Sequence, residues 1–169
     1  MNTILARLLY NEIREFDSQG GLYVWVDPDE ASILKLQALM AGAPFKTVQS
    51  TGYHATVLYH NHALPQSIKI PVDRPLVATV RELIVWDERD GEKIVVAALD
   101  SPDLQALHAE LLDEYLTHSF PTFNPHVTVG KKVQLDAKTR VFLSQANEAL
   151  QEQPLELVFG PEILGSSLA

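Results

Sequence analysis

Two tetrapeptides decide how this chain is read: His54-Ala55-Thr56-Val57 and His126-Val127-Thr128-Val129, which begin 72 residues apart in a chain of 169. Each sits in a run rich in β-branched and aromatic residues, 53–59 and 123–131, so each reads as a strand. Side chains alternate across a strand, so each His shares a face with its own Thr. The alternate residues form the expected core face: Tyr53, Ala55, Val57 and Tyr59 in the first copy, Phe123, Val127 and Val129 in the second. The His and Thr side chains are left for a cleft or for solvent.

Working outward, the context of the tetrads is also duplicated. A strand over 22–26, the turn Asp27-Pro28-Asp29 and an apolar-striped helix (Ile33, Leu34, Leu36, Leu39, Met40) precede the first. A strand over 94–99, the turn Ser101-Pro102-Asp103 and a helix over 104–116 precede the second. In the first turn Asp27 is the expected N-cap, with Pro28 at the first helical position. Between the copies, a β run over 76–86 meets residues 93–99 through Asp90-Gly91, a strong hairpin signal. An amphipathic helix over about 137–150 and a final β run over 155–159 follow the second tetrad. At the N-terminus, Ile4, Leu5, Leu8, Leu9, Ile13 and Phe16 recur at helical spacing, which predicts a helix over 1–19. Short strands mixed with helices and joined by a hairpin give an α+β fold. The length suits one domain over 1–169, and no linker or low-complexity stretch divides it.

Composition narrows the function classes. Thirteen Lys+Arg against 22 Asp+Glu leave a net charge of −9 at pH 7. Proteins that hold long duplex nucleic acid by neutralising phosphates carry a basic face, which argues against that class but not against a small anionic ligand. The absence of cysteine excludes disulfides, thiol nucleophiles and Cys-ligated zinc. No apolar run approaches the roughly 20 residues of a membrane span, and the N-terminus lacks the pattern of a signal peptide. The expectation is a cytoplasmic protein.

The paired tetrads suggest a reaction. Two histidines of pKa near 6.5 can divide the work at neutrality, one free as base and one protonated as acid. Two Thr hydroxyls can donate to the non-bridging oxygens of a phosphodiester as charge develops there. That set suits attack on phosphorus by a ribose 2′-hydroxyl or by water, and it calls for neither a metal nor any other cofactor.

With these residues in view, the chain resembles the 2H phosphoesterase superfamily over about residues 21–160. The resemblance implies a bilobal, pseudo-symmetric fold, in which two antiparallel sheets flanked by helices enclose a central groove. It implies catalytic roles for His54, Thr56, His126 and Thr128. Within the superfamily, size, acidity and aromatic placement are most similar to phage anti-CBASS nucleases, which degrade cyclic di- and trinucleotide signals of bacterial antiviral defence. That likeness implies Tyr23 and Trp86 as substrate-binding aromatics around a nucleobase, a small cyclic nucleotide as partner, and action in the host cytoplasm.

Several residues keep more than one reading on the sequence alone. Trp86 fits a core position as well as a stacking platform, and Trp25 shares the face of Tyr23. His60 and His62 have the i, i+2 spacing of a metal pair, but no acidic pattern completes it, so a solvated strand end is preferred. His108 and His118 fall on or just past a helix. Lys131 and Lys132 follow the second tetrad and offer a locally positive groove or a solvated pair, and Glu156 and Glu162 are equal candidates for a base edge. Two rival functions stay open: an RNA-end enzyme acting on 2′,3′-cyclic phosphates or 2′–5′ bonds, and a protein that sequesters nucleotides without cleaving them.

Overall fold

The computed structural model describes residues 22–60, 68–88, 90–112 and 122–167. The helix expected over 1–19 lies outside them, as do His62 and His118. In chain order the elements are β1 (Leu22–Pro28), α1 (Glu30–Leu39), β2 (Lys46–Thr47), a 3-10 turn (Ser50–Gly52), β3 (Ala55–His60), β4 (Ile68–Pro71), β5 (Leu76–Asp87), β6 (Lys93–Asp100), α2 (Pro102–Leu112), β7 (His126–Lys131), α3 (Ala137–Glu152) and β8 (Leu155–Ser167). The fold is mixed α+β and dominated by an antiparallel sheet. No helix among the described residues is long and apolar enough to cross a membrane.

The strands run β1-β3-β7-β6-β5-β8, with β4 on the far edge of β8 and β2 beside β7, and β8 also pairs with β1. Hydrogen bonding therefore closes on itself, where the sequence reading expected two separate sheets. Two features make the circuit. β3 and β7 meet at one register pair, Ala55↔Val127. β8 continues past residue 159, where the sequence reading ended it, to Ser167; its first part pairs with β5 and its second with β1 and β4. Gly160, at φ 122°, takes a backbone conformation open to a residue without Cβ and lets the chain change partners there.

The core lies under this sheet. Val26, Ala55, Val127 and Ala97 are register neighbours across β1, β3, β7 and β6, and all four are fully buried. α1 packs on β8 and β1, α2 on β5 and β3, and α3 on β5.

The N-terminus of α1 corrects the sequence reading. Asp29, not Asp27, is the cap: its Oδ1 accepts from the Ser32 amide at 2.8 Å, while Pro28 still belongs to β1 opposite Phe159. α2 follows the expected pattern, with Ser101 Oγ accepting from the Leu104 amide at 3.0 Å and Pro102 opening the helix. Both helix starts also grip a strand. Asp29 N–H donates to Val158 O (2.8 Å) and Val158 N–H donates to Ser32 Oγ (2.7 Å). Likewise, Ser101 Oγ donates to Val77 O (2.7 Å) and Val77 N–H donates to Asp103 Oδ2 (2.8 Å). Val77 and Val158 are themselves register partners, so the two helices clamp one β5–β8 rung from opposite sides.

β5 carries a bulge between Val80 and Glu82, and Asn147 of α3 services the residue that follows it. The Leu83 amide donates to Asn147 Oδ1 (2.7 Å) and Asn147 Nδ2 donates to Leu83 O (3.1 Å). Replacing Asn147 with Leu keeps the branched side-chain shape and removes both partners, leaving partly buried backbone groups unpaired. Urea unfolding of Asn147→Leu is expected to show a loss of about 1–3 kcal/mol; an unchanged midpoint would mean that water replaces the side chain.

Candidate active site

The Ala55↔Val127 pair sets the geometry of the site. Continued by one residue either way, its register puts His54 across from Thr128 and Thr56 across from His126. Because Ala55 and Val127 are fully buried, their neighbours must point to the opposite face, and the two tetrads merge into one surface. That surface lines a cavity of about 420 Å³ whose walls include all six residues singled out from the sequence: His54, Thr56, His126, Thr128, Tyr23 and Trp86.

Both imidazoles are fixed in the same way. His54 Nδ1 lies 2.9 Å from Gly52 O, and His126 Nδ1 lies 2.8 Å from Asn124 O. A carbonyl can only accept, so each Nδ1 carries the hydrogen and each Nε2 is left to take or give a proton. These orienting groups are backbone carbonyls two residues upstream. No residue type announces them, so sequence reading had no signal for them.

Aromatic rings frame the histidines. Trp86 meets His126 edge to face at 4.3 Å between centroids and 60°, and Trp25 meets His54 at 6.4 Å and 68°. Trp86 is half-buried and belongs to the cavity, not the core. Between Tyr23 and Trp25, Tyr23 lines the cavity and stands 5.5 Å from Tyr59 in a T-shaped pair, while Trp25 supports His54. Trp25 also hydrogen-bonds Asp27, whose carboxyl is raised above its usual range by partial burial and pulled back by the charge of His54 and by that bond.

Two residues assigned to the core face prove to be cleft residues. A bulge in the β1–β3 ladder leaves Val57 and Leu58 both buried and swings Tyr59 to the cavity side. Phe123 precedes β7, so the strict alternation of a strand does not govern it. It lines the cavity and stacks on His108 at 4.1 Å and 12°. His108 is buried and its Nδ1 lies 2.7 Å from Val57 O.

Other candidates do not reach the cavity. Lys131 and Lys132 are exposed, Lys131 pairing in register with Lys46 and Lys132 having a φ of 51°, and neither lines the cavity. Glu156 and Glu162 do not line it either. Among the described residues, no Lys or Arg is in the lining. Asp87 and Glu88 stand at the Trp86 end, and Asp87 accepts from Lys93 Nζ at 2.6 Å.

Fold and site together define an α+β protein with a two-histidine, two-threonine cleft. The sequence model of the family described as "Anti-CBASS protein Acb1" matches residues 20–165, and this chain belongs to that family. Phage proteins of that description are similar to it. The one from Vibrio phage KVP40 is 32% identical over 150 residues, covering 86% of this chain and 95% of the relative. The one from Acinetobacter phage Ac42 is 30% identical over 116 residues, covering 68% and 75%. The one from Salmonella phage S16 is 28% identical over 118 residues, covering 69% and 76%.

The cleft has a stability signature. Burial lowers the pKa of His126, against the bond to Asn124 O and with added repulsion from His54; burial likewise lowers that of His108, against its bond to Val57 O. The unfolded chain therefore takes up these protons first, near pH 6.5. Stability is full above that value and is lost as pH falls through the lower folded-state values. Urea midpoints are expected to decline from pH 7.5 to 5.5, and less steeply in His126→Asn and His108→Asn. Equal slopes in all three proteins would contradict the burial argument.

Proposed function

We propose that this protein is a metal-independent phosphodiesterase that cleaves the 3′–5′ bonds of cyclic di- or trinucleotide signals, and so antagonises CBASS defence. The fold in this reading is the bilobal 2H arrangement in a single domain, with the narrow β3–β7 junction as the seam between lobes. One observation carries it: His54, Thr56, His126 and Thr128 line one cavity, with both Nδ1 atoms engaged and both Nε2 atoms available. Membership of a family described as anti-CBASS supplies the biological setting.

In the first step a ribose 2′-oxygen attacks phosphorus, and its proton goes to one Nε2. The bond from phosphorus to the 5′-oxygen breaks, and that oxygen takes a proton from the other Nε2. A 2′,3′-cyclic phosphate results, and water opens it to a 3′-phosphate. Thr56 and Thr128 donate to the non-bridging oxygens, a contact that strengthens as charge gathers there. Tyr23 and Trp86 hold a base. A ring nucleotide has no free end to grip, so its bases and phosphates must provide the binding energy.

Incubation of the protein with a cyclic dinucleotide in EDTA, followed by chromatography, is the direct test. Linear products support the reading; intact nucleotide released by heat would indicate sequestration; cleavage confined to linear RNA ends would indicate the RNA-end activity. His54→Ala and His126→Ala should each lose roughly 10²–10⁴-fold in kcat, and the double variant should be little worse than either. Thr56→Ala and Thr128→Ala should each lower kcat by on the order of 10²-fold with KM little changed.

Tyr23→Ala and Trp86→Ala should raise KM for cyclic dinucleotides by the equivalent of about 1–3 kcal/mol per stacked base. Thermal melts must show both variants folded. A folded Trp86→Ala with unchanged KM would remove base stacking from the reading.

A further inference from the structure

We propose that the two histidines have fixed, different roles: His126 is the base for the 2′-hydroxyl, His54 is the acid for the 5′-oxygen, and Asp27 is the positioning residue that fixes the division. This rests on the phosphodiesterase reading and adds to it the direction of proton flow. The tetrads are nearly identical in sequence; their surroundings are not.

The His126 ring is half-buried against Trp86 at 4.3 Å, and water that would solvate an imidazolium is displaced there. His54 is exposed, and its Trp25 neighbour stands further off, at 6.4 Å. A carboxylate lies beside His54. The β1–β3 register pairs Trp25 with Thr56 and Val26 with Ala55, and Asp27, the next residue of β1, lies close enough to His54 for the two charges to interact. The Trp25 indole, which packs against His54, also donates to Asp27 and steers that carboxylate.

The remaining groups do not offset this asymmetry. Among the described residues, His54 shares the cavity lining with His126, Tyr23 and Tyr59, and it interacts by charge with Asp27 of β1. His126 shares its end of the cavity with Asp87 and Glu88. Asp87 is occupied by Lys93, and of the charged groups it is His54 that acts on His126. Two imidazolium ions in one cleft repel each other, and burial against Trp86 makes His126 the ring that carries a charge less readily.

The cycle then closes. His126 Nε2 accepts the 2′-hydroxyl proton as the oxygen–phosphorus bond forms, and His54 Nε2 gives its proton to the departing 5′-oxygen. His126 is now charged and His54 neutral, the state needed for the second step. His54 takes a proton from water as it attacks, His126 returns its proton to the 2′-oxygen as that bond breaks, and the starting state is restored.

Two probes test the assignment: a 3′–5′-linked cyclic dinucleotide, and uridine 3′-(4-nitrophenyl phosphate), whose leaving group needs no proton. His54→Ala should lose on the order of 10²-fold or more on the cyclic dinucleotide and stay within about tenfold of wild type on the nitrophenyl ester. His126→Ala should lose on the order of 10²-fold or more on both. The reverse pattern, or equal losses on the ester, overturns the assignment. Asp27→Asn should shift the alkaline limb of the kcat/KM profile for the cyclic dinucleotide to lower pH and leave the acidic limb in place. A shifted acidic limb, or no shift, overturns the role of Asp27, and this profile decides alone if the ester is not turned over. Wild-type protein inert toward both probes overturns the phosphodiesterase reading itself.

Discussion

Ala55 of β3 pairs with Val127 of β7, and because both side chains enter the core, the residues flanking each must emerge on the other face. His54, Thr56, His126 and Thr128 are those flanking residues. One backbone contact between elements far apart in sequence therefore assembles four polar side chains, with each His set across from the other motif's Thr. The strands then part to different neighbours, β3 to β1 and β7 to β6 and β2, and residues of β1, β5 and β6 join theirs in lining the cavity. Small and β-branched side chains suit this rung, since Val26 and Ala97 continue it on either side with no exposed surface.

A chain of net charge −9 can admit an anionic ligand only where its acidic groups stand back from it. Here the lining carries imidazole, hydroxyl, phenol and indole, with Asp87 and Glu88 confined to the Trp86 end. No Lys or Arg is present among the described lining residues to bind phosphate by charge alone. Affinity for a long polyanion has little to build on. A compact ligand enclosed by aromatic walls gains from desolvation and stacking, which do not depend on a basic surface.

The Val77–Val158 rung is held from one side by Asp29 and Ser32 and from the other by Ser101 and Asp103. The two helix starts do the same job with different residues in different order. That difference misled the comparison of Asp27-Pro28-Asp29 with Ser101-Pro102-Asp103: proline opens the helix in the second and ends a strand in the first. Asp27 is thereby released from capping and stands in β1 beside His54.

The chain by itself determined the duplicated strand–helix–strand order, the hairpin at Asp90-Gly91, and the identities of the two His-x-Thr pairs. These are encoded locally, in residue alternation, turn chemistry and caps, so they can be read without a partner strand. Tertiary structure decided what depends on register and on contacts between distant segments. A bulge moved Tyr59 into the cleft, a non-strand backbone placed Phe123 in its wall, and β8 ran on to Ser167 because β1 and β4 were there to pair with it. The carbonyls of Gly52 and Asn124 that orient the imidazoles belong to the backbone and leave no mark in residue identity. Sequence made the two histidines look alike; burial against Trp86 on one side and the register of Asp27 on the other set them in different surroundings, because desolvation and charge proximity exist only once the strands are paired.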